Sequence, residues 1–408
     1  MMQLTILPNG LRVASRAMPG VETAAVGLYA ETGSRYEPAR LGGLAHLYEH
    51  MVFKGAGGRS ARELSEAIED VGGDLNAATD RDATSFMASV MAEHVALGVE
   101  LIADMILRPH FAAGELEREK DVVLQELGEA RDAPGDIIFD DLWSAAFADQ
   151  PLGRSILGDE ASIAAISAED LHGWRRSQYR AGSLALVAAG KVNHGALVEL
   201  AELHFGGLPT GAIPAPDPAR FTGGDRVGRT SSDQAHLALG FAGPAQLDPD
   251  HYAARLFADA VGGGASSLLF QQLREERGLA YSVYAGLAGY REVGLFSVYA
   301  ATARPQSTAS AQLIEEILVE ATHMIEQREV DRVRMQAKAS LLMSMESSWG
   351  QTSYVARQLA LHGRLVETSE ILAALDAVTV DQVRAAGAAM LAGPRARATI
   401  GFPAARAA

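Results

Sequence analysis

The stretch Gly42-Gly43-Leu44-Ala45-His46-Leu47-Tyr48-Glu49-His50-Met51 decides how the rest of the chain is read. Wound as a helix, it sets His46 and His50 one turn apart on a single face. That is the spacing with which a helix offers two imidazoles to one metal ion. Glu49 follows His46 by three positions and borders the same face. A carboxylate there can act on a metal-bound water without being a ligand. The order His-x-x-Glu-His reverses the His-Glu-x-x-His order of other helical zinc sites. A surface helix with two solvated histidines would contain the same residues, so the rest of the chain has to decide.

Composition narrows the possibilities. A chain of 408 residues is too long for one typical core and suggests two or more domains. Hydrophobic content of 48% and charged content of 21% are ordinary for a globular enzyme. With Cys 0, disulfides and thiolate ligands are excluded, and a metal must be held by histidines and carboxylates. The absence of cysteine also fits a reducing compartment, and a cytoplasmic location is expected. The net charge of −16 argues against nucleic acid and against anionic membrane surfaces as partners. It is compatible with basic peptides. The opening residues Met1 to Gly10 carry no basic start and no long apolar run, so no signal or transit peptide is expected. No apolar stretch approaches a bilayer span.

Outward from the motif, strands are expected at 11–15, after an Asn-Gly turn, and at 23–30. Ser60 reads as the N-cap of a helix over 61–68 that ends at Gly72-Gly73. Residues 75–91, rich in Thr, Ser and Ala, read as two strands. Helices follow at 93–107, 114–131 and 137–147. The continuous apolar run 183–190 reads as a buried strand, with a short helix at 195–203. Residues 206–218, with Gly and Pro at short intervals, have linker chemistry.

The second half opens with a strand at 234–241 and a helix at 248–260. The turn Gly262-Gly263-Gly264 leads into a short helix through Leu273, strands at 280–287 and 294–301, and long helices near 305–326 and 328–348. The Glu/Arg-rich stretch from Glu326 to Arg334 reads as a solvated helix face. This order repeats that of the first half. The expected fold is therefore α+β: two homologous α/β-sandwich domains, each an antiparallel-rich sheet flanked by helices, related by internal duplication. Their expected bounds are 1–210 for a metal-binding domain, 211–230 for a linker and 231–408 for the second domain.

A catalytic zinc needs a third protein ligand. Glu126 and Glu119 lie two turns apart on one face of the 114–131 helix, and spacing alone does not choose between them. The segment Gly43-Leu44-Ala45-His46-Leu47-Tyr48-Glu49-His50-Met51-Val52-Phe53-Lys54-Gly55 resembles the pitrilysin, insulysin and mitochondrial processing peptidase family of zinc endopeptidases. The resemblance implies a third ligand 76 residues beyond the second histidine, and Glu126 stands 76 positions after His50. It also implies that Glu119 supports the site without being an essential ligand.

Two further segments carry the likeness. Gly72-Gly73-Asp74-Leu75-Asn76-Ala77-Ala78-Thr79 is similar to the family's edge strand, where Asn76 and Ala77 would hold an extended peptide by main-chain pairing. Leu273-Arg274-Glu275-Glu276-Arg277-Gly278-Leu279-Ala280-Tyr281 resembles the segment whose arginine and tyrosine, here Arg274 and Tyr281, reach the active site from the opposing half of the enzyme. A cation and a phenol suit oxyanion charge or a substrate carbonyl. Tyr48 and Ala56 depart from the family pattern without removing a ligand.

What the resemblance implies is a Zn²⁺-dependent endopeptidase, with Glu49 as general base and with His46, His50 and Glu126 on the metal. A chain of this size resembles half of the family's long members. A homodimer, or else a heterodimer, would therefore form the clam-shell chamber around an oligopeptide substrate. The alternative is a catalytically silent or partner-dependent peptide-binding or scaffold subunit of the same family. The remaining histidines lack ligand spacing and receive no role.

Overall fold

The computed structural model describes residues 2–228 and 232–402. Residues 229–230 of the expected linker, and residues 231 and 403–408 of the expected second domain, lie outside the described residues. Two compact units account for the chain, and each is built on one sheet.

In the first unit six strands run in the order Met2–Ile6, Arg12–Ala17, Leu184–Gly190, Thr23–Ala30, Thr84–Met91, Asp74–Thr79. Arg12–Ala17 and Leu184–Gly190 are parallel, and every other pairing in this sheet is antiparallel. Period-two alternation divides the sheet into two apolar faces. Val26 pairs with Ala88 on one face, and Gly98 of helix Val95–Leu107 packs against both of them. On the other face Tyr29 bonds Met87 Sδ, and Thr352 Oγ1 of helix Ser348–His362 donates to Ala25 O. Covered on both sides, Leu184–Gly190 is buried at every position, which explains its unbroken apolar run. Asp74–Thr79 ends the sheet with alternate residues exposed.

Among its described residues the second unit has five strands in the order Ala280–Gly289, Gly294–Ala303, Gln234–Gly243, Arg395–Ile400, Gly224–Val227. Leu237, Leu239 and Phe241 face helices His251–Gly262, Ser307–Met324 and Val380–Leu391, while Ala238 faces Ile138 and Leu142 of helix Pro134–Ala146. Phe257 and Phe296 are fully buried in the former layer. Withdrawing each such ring from water contributes about 1.5–3 kcal/mol.

The two sheets share one topology. Each begins with a parallel pair whose second strand lies antiparallel to a central strand. A further antiparallel strand and an antiparallel edge strand follow. Only Met2–Ile6 is extra. The chain is thus a duplication of mixed α/β layers, as expected from the order of elements.

The units do not follow the chain as two consecutive blocks. Residues 128–154 pack with the second sheet, and residues 341–366 pack with the first. Beyond residue 348 the chain continues as helices Ser348–His362, Thr368–Ala377 and Val380–Leu391 and the strand Arg395–Ile400, none of which the sequence pattern had marked. The expected short helix through Leu273 is a π-helix, Phe270–Glu275. The stretch around Glu326 to Arg334 is not wholly a solvated face. Val330 and Val333 are buried, and Arg334 donates to Leu375 O and Val378 O. Among the described residues no helix is long and apolar enough to cross a membrane.

Candidate metal centre

The motif helix runs from Leu44 to Val52. Leu44, Ala45, Leu47, Tyr48, Met51 and Val52 are buried, which leaves His46, Glu49 and His50 on the remaining face. Burial of the apolar face therefore fixes the rotation of the helix and with it the direction of the motif. The helix starts at Gly43, whose φ of 87° is left-handed. A Cβ at Gly43 would come within 2.7 Å of Leu157 O, so both conformation and space require glycine. Glu37, buried, accepts from the amides of Gly43 (3.0 Å) and Ala45 (2.7 Å) and caps the helix with a charge that suits its dipole. Tyr48, the departure from the family pattern, is fully buried and stacks on Tyr179 with ring centroids 4.9 Å apart.

Helix Ala113–Asp132 brings the carboxylates. Glu126 Oε2 lies 3.7 Å from His46 Nε2 and 3.7 Å from His50 Nε2, and the three candidate donor atoms all lie within 4.8 Å of one another. Among the described residues this is the one cluster of three or more His, Cys, Asp or Glu able to share an ion. A separation of 3.7 Å is too long for a hydrogen bond. It is close to the distance of about 3.4 Å that separates two donors placed tetrahedrally at zinc bond lengths. Burial, and then the neighbouring His50, lower the His46 pKa to about 4, so its imidazole is neutral and its nitrogen lone pair is free to coordinate. The donor set of two imidazoles and one carboxylate fits a catalytic zinc, which keeps one further position open.

The structure separates the two glutamates that spacing alone left open. Glu119 is buried, with Oε2 3.2 Å from His50 Nδ1 and Oε1 2.8 Å from Lys54 Nζ. A carboxylate only accepts, so His50 Nδ1–H donates to it, and the opposite nitrogen, Nε2, is the one directed at Glu126.

Glu49 sits beside these donors. Its Oε2 accepts a 2.5 Å hydrogen bond from Thr79 Oγ1. Burial raises its pKa, opposed by the Thr79 hydrogen bond and by His50. Thr79 is the last residue of the edge strand Asp74–Thr79, so the strand with the unpaired edge is tied directly to the candidate base. Sequence reading had no signal for Thr79, because nothing in its spacing distinguishes it from other strand-end threonines. Thr79→Val is expected to lower kcat about tenfold while zinc content stays at the parental level, and Thr79→Ser is expected to restore it, because a hydroxyl orienting a base is a positioning contact. Steady-state kinetics with metal analysis checks this. Equal kcat in the valine variant would remove Thr79 from the site.

On the edge strand Asn76 is exposed and Ala77 half-buried, and the Ala77 amide donates to Asn76 Oδ1 at 2.8 Å. Among the described residues the strand pairs only with Thr84–Met91, which leaves its outer edge unpaired within the sheet. In the second unit the Arg274 guanidinium lies 4.8 Å from the Phe270 ring centroid and 5.9 Å from that of Tyr281. Arg274 is exposed, and Tyr281 is 74% exposed on strand Ala280–Gly289.

Known proteins bear on this geometry. Residues 12–160 match the profile of insulinase (peptidase family M16), and residues 165–337 match that of the peptidase M16 inactive domain. An uncharacterized zinc protease of Mycobacterium leprae is 35% identical over 388 residues, covering 93% of this chain and 87% of that protein. A probable mitochondrial-processing peptidase subunit beta of Arabidopsis thaliana is 35% identical over 400 residues, covering 94% and 75%. A protease from Helicobacter pylori matches in structure with a TM-score of 0.90 at 21% identity, over 99% of each chain. The peptidase M16 inactive domain structure from Pseudomonas fluorescens gives 0.90 at 22%, over 100% and 99%. At such identities the two structures speak for the fold alone. Zinc is the metal named for the sequence relatives, and it agrees with the donor set built above. With similarity of this extent along nearly its whole length, the chain belongs to the insulinase family of proteases, peptidase family M16.

Proposed function

We propose that the chain is a zinc-dependent endopeptidase acting on unfolded oligopeptides, with His46, His50 and Glu126 as metal ligands and Glu49 as general base. The observation that carries this reading is the convergence of Glu126 Oε2 on both Nε2 atoms at 3.7 Å beside a carboxylate pinned by Thr79. When bound, the ion supplies a Lewis acid at neutral pH. Glu119 orients His50 through Nδ1. Glu49, held at Oε2 by Thr79, takes a proton from the attacking water and returns it to the leaving amine. Asn76 and Ala77 present the open strand edge to which an extended main chain adds, so unfolded segments are selected with little regard to their side chains.

The second part of the proposal concerns assembly. A homodimer closes around the peptide, and Arg274 and Tyr281 of one subunit serve the metal site of the other. Support comes from the exposure of both side chains and their mutual stacking. A cytoplasmic location goes with this reading, since the chain has Cys 0 and therefore no need of an oxidising compartment.

Cleavage of an internally quenched, unstructured peptide by the purified full chain tests the proposal. Hydrolysis is expected, abolished by a chelator and restored by zinc. Glu49→Gln and Arg274→Ala chains, each impaired alone, are expected to recover activity when mixed, because one hybrid site then has both groups intact. Zinc-loaded protein that cleaves nothing by itself would favour the silent or partner-dependent subunit instead. Activity of the chain as a monomer would reject the two-subunit site.

A further inference from the structure

We propose that Lys54 is a positioning residue of the metal site: its ammonium fixes Glu119, Glu119 fixes His50 Nδ1, and Nε2 is thereby aimed at the shared ion. The inference rests on the zinc reading above and assigns a role to a residue outside the donor set and the base. Lys54 follows the motif helix directly, after its C-cap residue Phe53, so the short connection to the helix delivers its side chain to the same site. Its Nζ lies 2.8 Å from Glu119 Oε1, while Glu119 Oε2 lies 3.2 Å from His50 Nδ1. The Glu119 side chain is only 7% exposed and that of Lys54 33%.

A carboxylate so buried needs compensating charge or several donors. Among the described residues Lys54 is the cation in contact with it, and His50 supplies a single N–H. Both Glu119 oxygens are therefore engaged, and the carboxylate is held in one orientation, away from the donor group formed with Glu126. Lys54 thus separates the roles of two glutamates that share one helix face, leaving Glu126 to ligate and Glu119 to orient. Without the ammonium, Glu119 keeps one donor and no longer fixes the His50 ring. Partners that orient a metal ligand typically account for about 10–100-fold in metal affinity.

Zinc affinity, measured on the full chain by competition with a chromophoric chelator, tests this. Lys54→Met and Lys54→Gln are each expected to weaken zinc binding about 10–100-fold and to lower the melting temperature of the still-folded metal-free protein, because Glu119 loses its compensating charge. Lys54→Arg is expected to restore most of both. In a Glu119→Gln background, Lys54→Met is expected to have little further effect, because the lysine acts through that carboxylate. Parental affinity in both charge-removing variants would overturn the proposal, as would a full additional loss in the Glu119→Gln background. A parental protein that binds no zinc would sink the metalloprotease reading itself, an outcome distinct from failure of the lysine variants alone.

Discussion

Glu49→Gln is expected to abolish peptide hydrolysis while the protein keeps its full complement of zinc. The substitution preserves volume and leaves a carbonyl oxygen to accept from Thr79 Oγ1, so the local packing is retained. None of the three candidate donor atoms belongs to Glu49. What disappears is the group that holds a proton between the attacking water and the leaving amine. Positioned acid–base groups contribute on the order of 10²–10⁴-fold in rate, and Glu49 serves twice in one turnover, so a loss at the upper end is expected. Turnover with a quenched peptide, read beside bound metal, checks both halves. Retained turnover would remove Glu49 from its role, and loss of zinc would show that it serves the metal instead.

The second large effect is expected for Glu126→Ala. Glu126 Oε2 is the only oxygen donor among the three atoms, and it approaches both imidazoles equally, at 3.7 Å. Removing it leaves two nitrogens four residues apart on one helix. Loss of even a partner that orients a ligand costs about 10–100-fold in metal affinity, and loss of a ligand itself is expected to exceed that. Hydrolysis should fall with occupancy and return only partly at high zinc. The Glu126 side chain is 40% exposed, so truncation leaves no buried cavity and stability should change little. A variant that loses its fold together with its zinc would point to a structural role for this carboxylate.

Comparison of these two residues shows where sequence reading reaches its limit. His46, Glu49 and His50 lie on one turn, and their relation follows from helix geometry alone. Glu126 and Glu119 share a helix face, and only tertiary packing decides which of them meets the Nε2 pair. The family resemblance points to Glu126, and in the structure Lys54 and His50 Nδ1 occupy Glu119. Lys54 and Thr79 had no signature of their own, because a lysine after a helix and a threonine ending a strand are both commonplace.

The fold divides in the same way. Thr23–Ala30 and Leu184–Gly190 were legible as apolar runs, and the duplication as a repeated order of elements. Periodicity shows that a helix has an apolar face, not which sheet that face covers. The exchange of Pro134–Ala146 and Ser348–His362 between the units was therefore invisible. Arg395–Ile400 carries no clear strand signal for a related reason. Its first residues alternate Arg with Ala, a pattern of modest apolar content, yet it lies inside the second sheet between two other strands.

Everything proposed for the site depends on the shared ion, and the most direct measurement is the zinc stoichiometry of the purified full chain beside its Glu126→Ala variant. One zinc per chain is expected in the parental protein, with much less in the variant at the same free zinc. A parental chain that takes up no zinc, or a variant that holds it just as tightly, would contradict the three-donor site.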